Sequence, residues 1–129
     1  MRNLVKFFTG VPDSLLKEFC LCIDKSVPPN MHVITANEGN AIALASGFSL
    51  AKQSIPLVYM QNSGLSNALN PLISIAHKKV YSIPLILIIG WRGSPRVKDE
   101  PQHNVKGKIT EQILKLLNIK YTILLINQV

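Results

Sequence analysis

Thr35-Ala36-Asn37-Glu38-Gly39-Asn40-Ala41-Ile42-Ala43-Leu44-Ala45-Ser46-Gly47 is the stretch whose reading decides the fold. The apolar run 31–36 ends at a carboxylate, and small and apolar residues at helical spacing follow at once. The spacing predicts a buried strand over 31–36 and a helix over 38–53, with Glu38 on the first helical turn. The helix macrodipole favours a carboxylate there, so an ordinary first-turn acid is one account of Glu38. Alanine, serine and glycine along the same helix let another group approach closely, which is a second account.

Working outward, the pattern repeats. Residues 4–8 are a short apolar piece, and a turn is expected at Thr9-Gly10. Pro12 suits the first position of a helix, and Asp13 or Ser14 can satisfy its first amides. Leu15, Leu16, Phe19, Cys20 and Ile23 then share one helical face, and the breaker Val27-Pro28-Pro29-Asn30 stops it. Downstream, strands are predicted over 55–60 and 84–90, a helix over 67–77, an amphipathic helix over 107–117 and a last strand over 121–126. The continuous apolar run at 84–90 suits a parallel strand covered on both faces. Alternating strands and helices predict an α/β fold: three layers, α/β/α, around a central parallel sheet.

In such a sheet, ligands sit where the carboxyl ends of strands lead into helices. Three polar loops share that edge: Asn37-Glu38, residues 61–67, and residues 91–103. The long polar segment 91–106 is itself a functional candidate, since long unstructured loops are rare in small domains.

Composition narrows the partners. At 129 residues with 47% hydrophobic and 16% charged residues, the chain is one folded domain, residues 1–129. Neither a bilayer-length apolar run nor a secretory leader pattern is visible, which predicts a cytoplasmic protein without membrane contact. Cys20 and Cys22, two apart on a helix, point different ways and are expected to stay reduced. His32, His77 and His103 have no metal-ligand spacing, so no metal site is expected within the chain. The net charge of +7 suits an anionic substrate or acidic partner. Without aromatic interleaving or a recognised motif it does not suggest nucleic acid.

Five stretches carry a resemblance: Gly10-Val11-Pro12-Asp13-Ser14-Leu15-Leu16, Ala36-Asn37-Glu38-Gly39, Tyr59-Met60-Gln61-Asn62-Ser63-Gly64-Leu65, Gly90-Trp91-Arg92-Gly93 and Asp99-Glu100-Pro101-Gln102-His103. In this order they resemble the N-terminal, pyrimidine-binding domain of the phosphonopyruvate decarboxylase family of thiamine-diphosphate enzymes. The alpha subunit of sulfopyruvate decarboxylase is similar. The resemblance implies the thiamine-diphosphate-binding fold, with Glu38 as the glutamate that hydrogen-bonds N1′ of the aminopyrimidine. That bond favours the imino tautomer that takes the C2 proton, and the cofactor then serves as electron sink for CO₂ loss. It further implies that Asp13 and His103 are catalytic, that Gln61, Asn62 and Ser63 lie at the cofactor, and that Gln102, His103 and Arg92 contact the substrate. Lys98 is a further candidate for a phosphonate, while Asn67 and Asn70-Pro71 read as capping and packing residues.

The chain departs from the family pattern at Ser66, where a glycine is expected and a positive φ would strain the loop. Ser94 and Arg96 also depart, as does the run from Asn104 to Lys108. The family's Gly-Asp-Gly motif and the asparagine that hold Mg²⁺ and diphosphate belong to a diphosphate-binding domain and do not occur in this sequence. The implied activity is conversion of phosphonopyruvate to phosphonoacetaldehyde and CO₂, the site forming in a homo-oligomer or with a diphosphate-binding subunit. Sulfopyruvate as substrate and a truncated, non-catalytic interaction module are the alternatives.

Overall fold

The apolar runs become parallel strands: β1 (Val5–Gly10), β2 (His32–Ile34), β3 (Ile55–Gln61) and β4 (Ile86–Gly90), hydrogen-bonded in the order β2-β1-β3-β4. Between and after them lie the helices α1 (Lys17–Ser26), α2 (Glu38–Lys52), α3 (Leu65–Pro71) and α4 (Pro101–Leu116). This computed structural model describes residues 5–95 and 97–124. Leu4, Arg96 and residues 125–126 of the expected last strand lie outside them.

The sheet separates two cores, as the three-layer expectation requires. Along β3, Leu57 and Tyr59 point to one face, where Leu16 and Ile23 of the α1 region meet them. Val58 and Met60 point to the other, against Ala41, Ile42 and Ala45 of α2, Leu65 and Ala68 of α3, and Leu114 of α4. Val58, Tyr59, Met60 and Leu65 are fully buried, each contributing about 1.5–3 kcal/mol of apolar burial. Phe7 and Phe48 stack at 4.4 Å between centroids, tying β1 to α2. Among the described residues, no helix is long and apolar enough to cross a membrane.

Several boundaries differ from the sequence reading. The apolar run 31–36 is not a buried strand. A 3-10 turn takes Pro29–Met31, β2 keeps three residues at the sheet edge, and Ile34 is 59% exposed. Thr9 and Gly10 belong to β1 rather than to a turn, because both pair in register with β2 and β3. Pro12 does not open a helix: Asp13 caps a 3-10 turn, Ser14–Leu16, and α1 starts only at Lys17. This leaves Leu15 exposed rather than on the buried face.

The helix expected over 67–77 starts earlier, at Leu65, and runs through Pro71 into a π-turn, Leu72–Ala76. Ser66 lies inside α3 and is absent from the positive-φ residues, so the anticipated strain does not arise. As expected, β4 is covered on both faces, Leu87 and Ile89 packing on the α2 core and Ile88 on the α1 core. At the sheet edge the cover is partial: Ile86 is exposed and a groove of about 1260 Å³ runs along the strand beside α4 and residues 118–124. The last helix starts at Pro101, not Gly107. Glu100 is extended, as a residue before proline prefers, and Pro101 occupies the first helical position. Residues 121–124 form no strand.

Candidate active site

The three polar loops do meet at the carboxyl edge of the sheet, where residues 61–67 bond to Glu38 on one side and to the Arg92 loop on the other, and Asp13 after β1 joins them. Asn37 ends the turn after β2 and caps α2, its Oδ1 accepting from the Asn40 amide at 2.9 Å. Glu38 is therefore the first residue of the helix, 9% exposed, where the amide dipoles favour an acid. Its Oε2 accepts from Asn67 Nδ2 at 2.9 Å. The carboxyl lies over Gly64, where a Cβ would overlap Glu38 Cγ, Cδ and Oε1.

Asp13, also buried, follows β1. Its Oδ2 caps the Leu15 amide at 3.2 Å, and its Oδ1 accepts from Gln61 Nε2 at 2.7 Å. Ser63 Oγ donates to Gln61 Oε1 at 2.7 Å, completing a chain Ser63–Gln61–Asp13 across the ends of β1 and β3. The bare Cα of Gly90 at the end of β4 makes room for Asp13 Oδ2.

Asn62 is buried and turned the other way. Its Nδ2 donates to Arg92 O and to Thr110 Oγ1, both at 2.9 Å, and its Oδ1 accepts from the Arg92 amide at 3.2 Å. Both amide hydrogens are thus used in bracing the β4 loop to α4. Arg92 is clasped in turn: Nε and Nη2 form a two-pronged bond to Asp99 at 2.8 Å each, while Nη1 reaches Ser14 Oγ at 3.3 Å. Asp99 also accepts from the Gly93 and Glu100 amides. The Arg92 fork, aided by these amides, holds the Asp99 carboxyl well below the usual carboxylate range.

The turn closed by this clasp has Gly93 at φ +64, pressed against the His103 carbonyl. His103 sits on the first turn of α4, partly buried, and its buried Nδ1 has no hydrogen-bond partner among the described residues. Gln102 precedes it and is exposed, as is Lys98. The geometry therefore joins Asp13, Gln61 and Ser63 in one hydrogen-bonded chain. It links Asn62 with Arg92 and sets His103 beside the Arg92–Gly93 turn. Glu38 forms its own cluster with Gly64 and Asn67.

Comparison with known proteins gives this edge a family. Residues 1–114 match the model described as "Thiamine pyrophosphate enzyme, N-terminal TPP binding domain". The chain belongs to the thiamine pyrophosphate enzymes. It is 38% identical over 115 residues to a phosphonopyruvate decarboxylase of Streptomyces viridochromogenes, a match covering 89% of this chain and 28% of the relative. It is 34% identical over 119 residues to the sulfopyruvate decarboxylase subunit alpha of Methanococcus maripaludis, covering 91% of this chain and 67% of that subunit. A solved thiamin diphosphate-dependent enzyme described as putative, from Mycobacterium smegmatis, superposes with a TM-score of 0.59 at 25% identity. That superposition covers 75% of this chain and 18% of the solved one. The chain thus spans about a quarter of the phosphonopyruvate decarboxylases it matches.

The residues fit a thiamine pyrophosphate enzyme's pyrimidine side. A first-turn glutamate lies over a bare glycine with one oxygen held by a neighbour, and an imidazole nitrogen on α4 has no partner among the described residues. Four contributors escaped the sequence reading. Asn67, read as capping or packing, holds Glu38; Gly64 gives the carboxyl its room; Asp99 fixes Arg92; Thr110 anchors Asn62. The placement of Asn67 three residues after Gly64, on the first turn of the next helix, was the available signal for the first two.

Proposed function

We propose that this chain is the pyrimidine-binding part of a thiamine-diphosphate-dependent 2-oxo acid decarboxylase that converts phosphonopyruvate to phosphonoacetaldehyde and CO₂. The observation that carries the reading is the Glu38 carboxyl, set at the start of α2, seated over Gly64 and held by Asn67. Bound there, the cofactor supplies the electron sink for decarboxylation. Glu38 holds the aminopyrimidine through its carboxyl, with Asn67 keeping that carboxyl from turning away.

Asp13 enters as the acid that handles protons at the substrate, oriented by Gln61 and Ser63, which form the wall beside the cofactor. His103 contributes Nδ1 as a second proton-handling or orienting group, and Gln102 contributes its amide to substrate binding. Asn62 acts by position, bracing the loop that follows β4. With its fork filled by Asp99, Arg92 shapes the same loop and offers the Nη1 edge to an anion. Mg²⁺ and the diphosphate are held by a diphosphate-binding domain, within an oligomer.

A second reading, sulfopyruvate as substrate, is supported by the 34% identity over 119 residues to a sulfopyruvate decarboxylase alpha subunit. The test is CO₂ release from each 2-oxo acid with Mg²⁺ and thiamine diphosphate, by the chain alone and mixed with a diphosphate-binding subunit. Turnover of phosphonopyruvate only in the mixture is expected. Turnover of sulfopyruvate alone would transfer the assignment to the second reading, and no turnover of either would remove both.

A further inference from the structure

Behind the candidate site, on the face covered by α1, a polar chain crosses the sheet and takes no part in the chemistry above. Asp24 Oδ1 lies 3.2 Å from His32 Nδ1, and His32 Nε2 lies 2.8 Å from the Tyr59 hydroxyl. The His32 side chain is 10% exposed and Tyr59 is fully buried. The two strands they sit on are not neighbours, because β1 lies between β2 and β3. Gly10 makes the crossing feasible. It pairs with Tyr59 in register, and a Cβ at Gly10 would come within 2.8 Å of Tyr59 Cγ and Cδ2. The tyrosine ring therefore lies over β1, and its hydroxyl reaches the edge strand. Burial pushes the Tyr59 phenol up to about 12, so it keeps its proton. One histidine tautomer then satisfies all three groups: Tyr59 O–H donates to Nε2, and Nδ1–H donates to Asp24.

We propose that His32 is a positioning residue for Glu38, strapping β2 to the sheet so that the start of α2 stays over Gly64. Little else holds this strand. It has three residues, and Val33 and Ile34 are exposed, so apolar burial contributes little. Among the described residues, the remaining ties are its parallel pairs with β1, a hydrogen bond from Thr9 Oγ1 to Val33 O at 2.7 Å, and the strap itself. Beyond β2, the Thr35 amide donates to Gly10 O at 3.0 Å, Asn37 caps the helix, and Glu38 follows. Ala36 and Asn37 are exposed, so the turn is held by Thr35, whose hydroxyl lies 3.3 Å from Gly10 O and 3.0 Å from Asn37 O. The register of β2 therefore reaches Glu38 through Thr35 and one short turn, while Ala41 and Ile42 in the core and Asn67 hold the helix start from the other side. His32 is also the hydrogen-bond partner of the Tyr59 hydroxyl, and a buried O–H left without one is costly.

The inference rests on the reading of Glu38 as the acid that faces the cofactor, but its test needs no cofactor. Amide hydrogen exchange is measured on the unliganded chain for native protein, H32L, H32Q and Y59F. Both H32L and Y59F are expected to speed exchange of the Thr35, Asn40 and Ala41 amides about tenfold, the scale of one lost hydrogen bond. Met60 and Ala45, in the sheet and helix interiors, are expected to keep native exchange. H32Q, whose amide oxygen can still accept from Tyr59, is expected to restore protection. Y59F keeps the buried ring, so it carries the test if H32L does not fold. Native exchange over 35–41 in Y59F, or H32Q behaving like H32L, overturns the proposal. In the complete assembly, a loosened 35–41 segment with unchanged thiamine diphosphate affinity would support the strap and count against the reading of Glu38.

Discussion

At the residue scale, the site depends on what holds each carboxylate. Glu38 Oε2 is tied to Asn67 and Asp13 Oδ1 to Gln61, so neither acid relies on its own rotamer preference for its aim. Asn67→Ala removes the donor from Glu38 and is expected to lower turnover of the complete assembly about tenfold, the scale of one hydrogen bond. Because Asn67 is exposed, its loss should leave thermal stability nearly native. Steady-state kinetics beside a melting curve checks both halves of the statement. Asn62→Ala should do the reverse. It leaves the Arg92 backbone and buried Thr110 short of partners and should cost about 1–3 kcal/mol of stability, read from chemical denaturation. The acids themselves were legible in the sequence, each standing just after a strand. Their holders were not, because Asn67 lies 29 positions from Glu38 and Gln61 lies 48 from Asp13. Such pairings become visible only once the sheet order is known.

At the scale of elements, the instructive segment is the one after β4. A run rich in charges and prolines reads as a loop, yet Pro101 opens a 16-residue helix and Asp99 closes the turn before it. The signal was an extended residue before a proline, which polar composition masked. The clasp carries a pH prediction. The Asp99 value in the folded chain lies below its ordinary 3.8, so the clasp contributes fully above that value. It is lost only as pH falls through the depressed folded value. A carbon-13 titration of the Asp99 carboxyl should find a midpoint well below 3.8 in native protein, returning toward 3.8 in Arg92→Gln. A native midpoint at the ordinary value would mean that the clasp does not form in solution. At the other sheet edge, the run 31–36 read as buried because continuous apolar sequence does not say whether a strand has neighbours on both sides. With β1 alone beside it, β2 keeps three residues and depends on polar ties.

At the scale of the whole molecule, alternation of strands and helices was enough for the three-layer parallel architecture, since β3 has the two-sided burial that a central strand needs. The strand order was not legible, as it depends on which runs become neighbours. All four strand ends deliver their polar residues to one edge, which is why scattered sequence motifs become a single candidate site. The chain spans 28% of the phosphonopyruvate decarboxylase it resembles, and the role proposed for it is the pyrimidine half of the chemistry. The most direct test is CO₂ release from phosphonopyruvate by the complete assembly with Mg²⁺ and thiamine diphosphate, comparing native chain with Glu38→Gln. Circular dichroism of the variant verifies its fold. A loss of at least about a hundredfold is expected, the scale of a lost proton-transfer partner, with the fold intact. Turnover by Glu38→Gln close to native would contradict the proposed role.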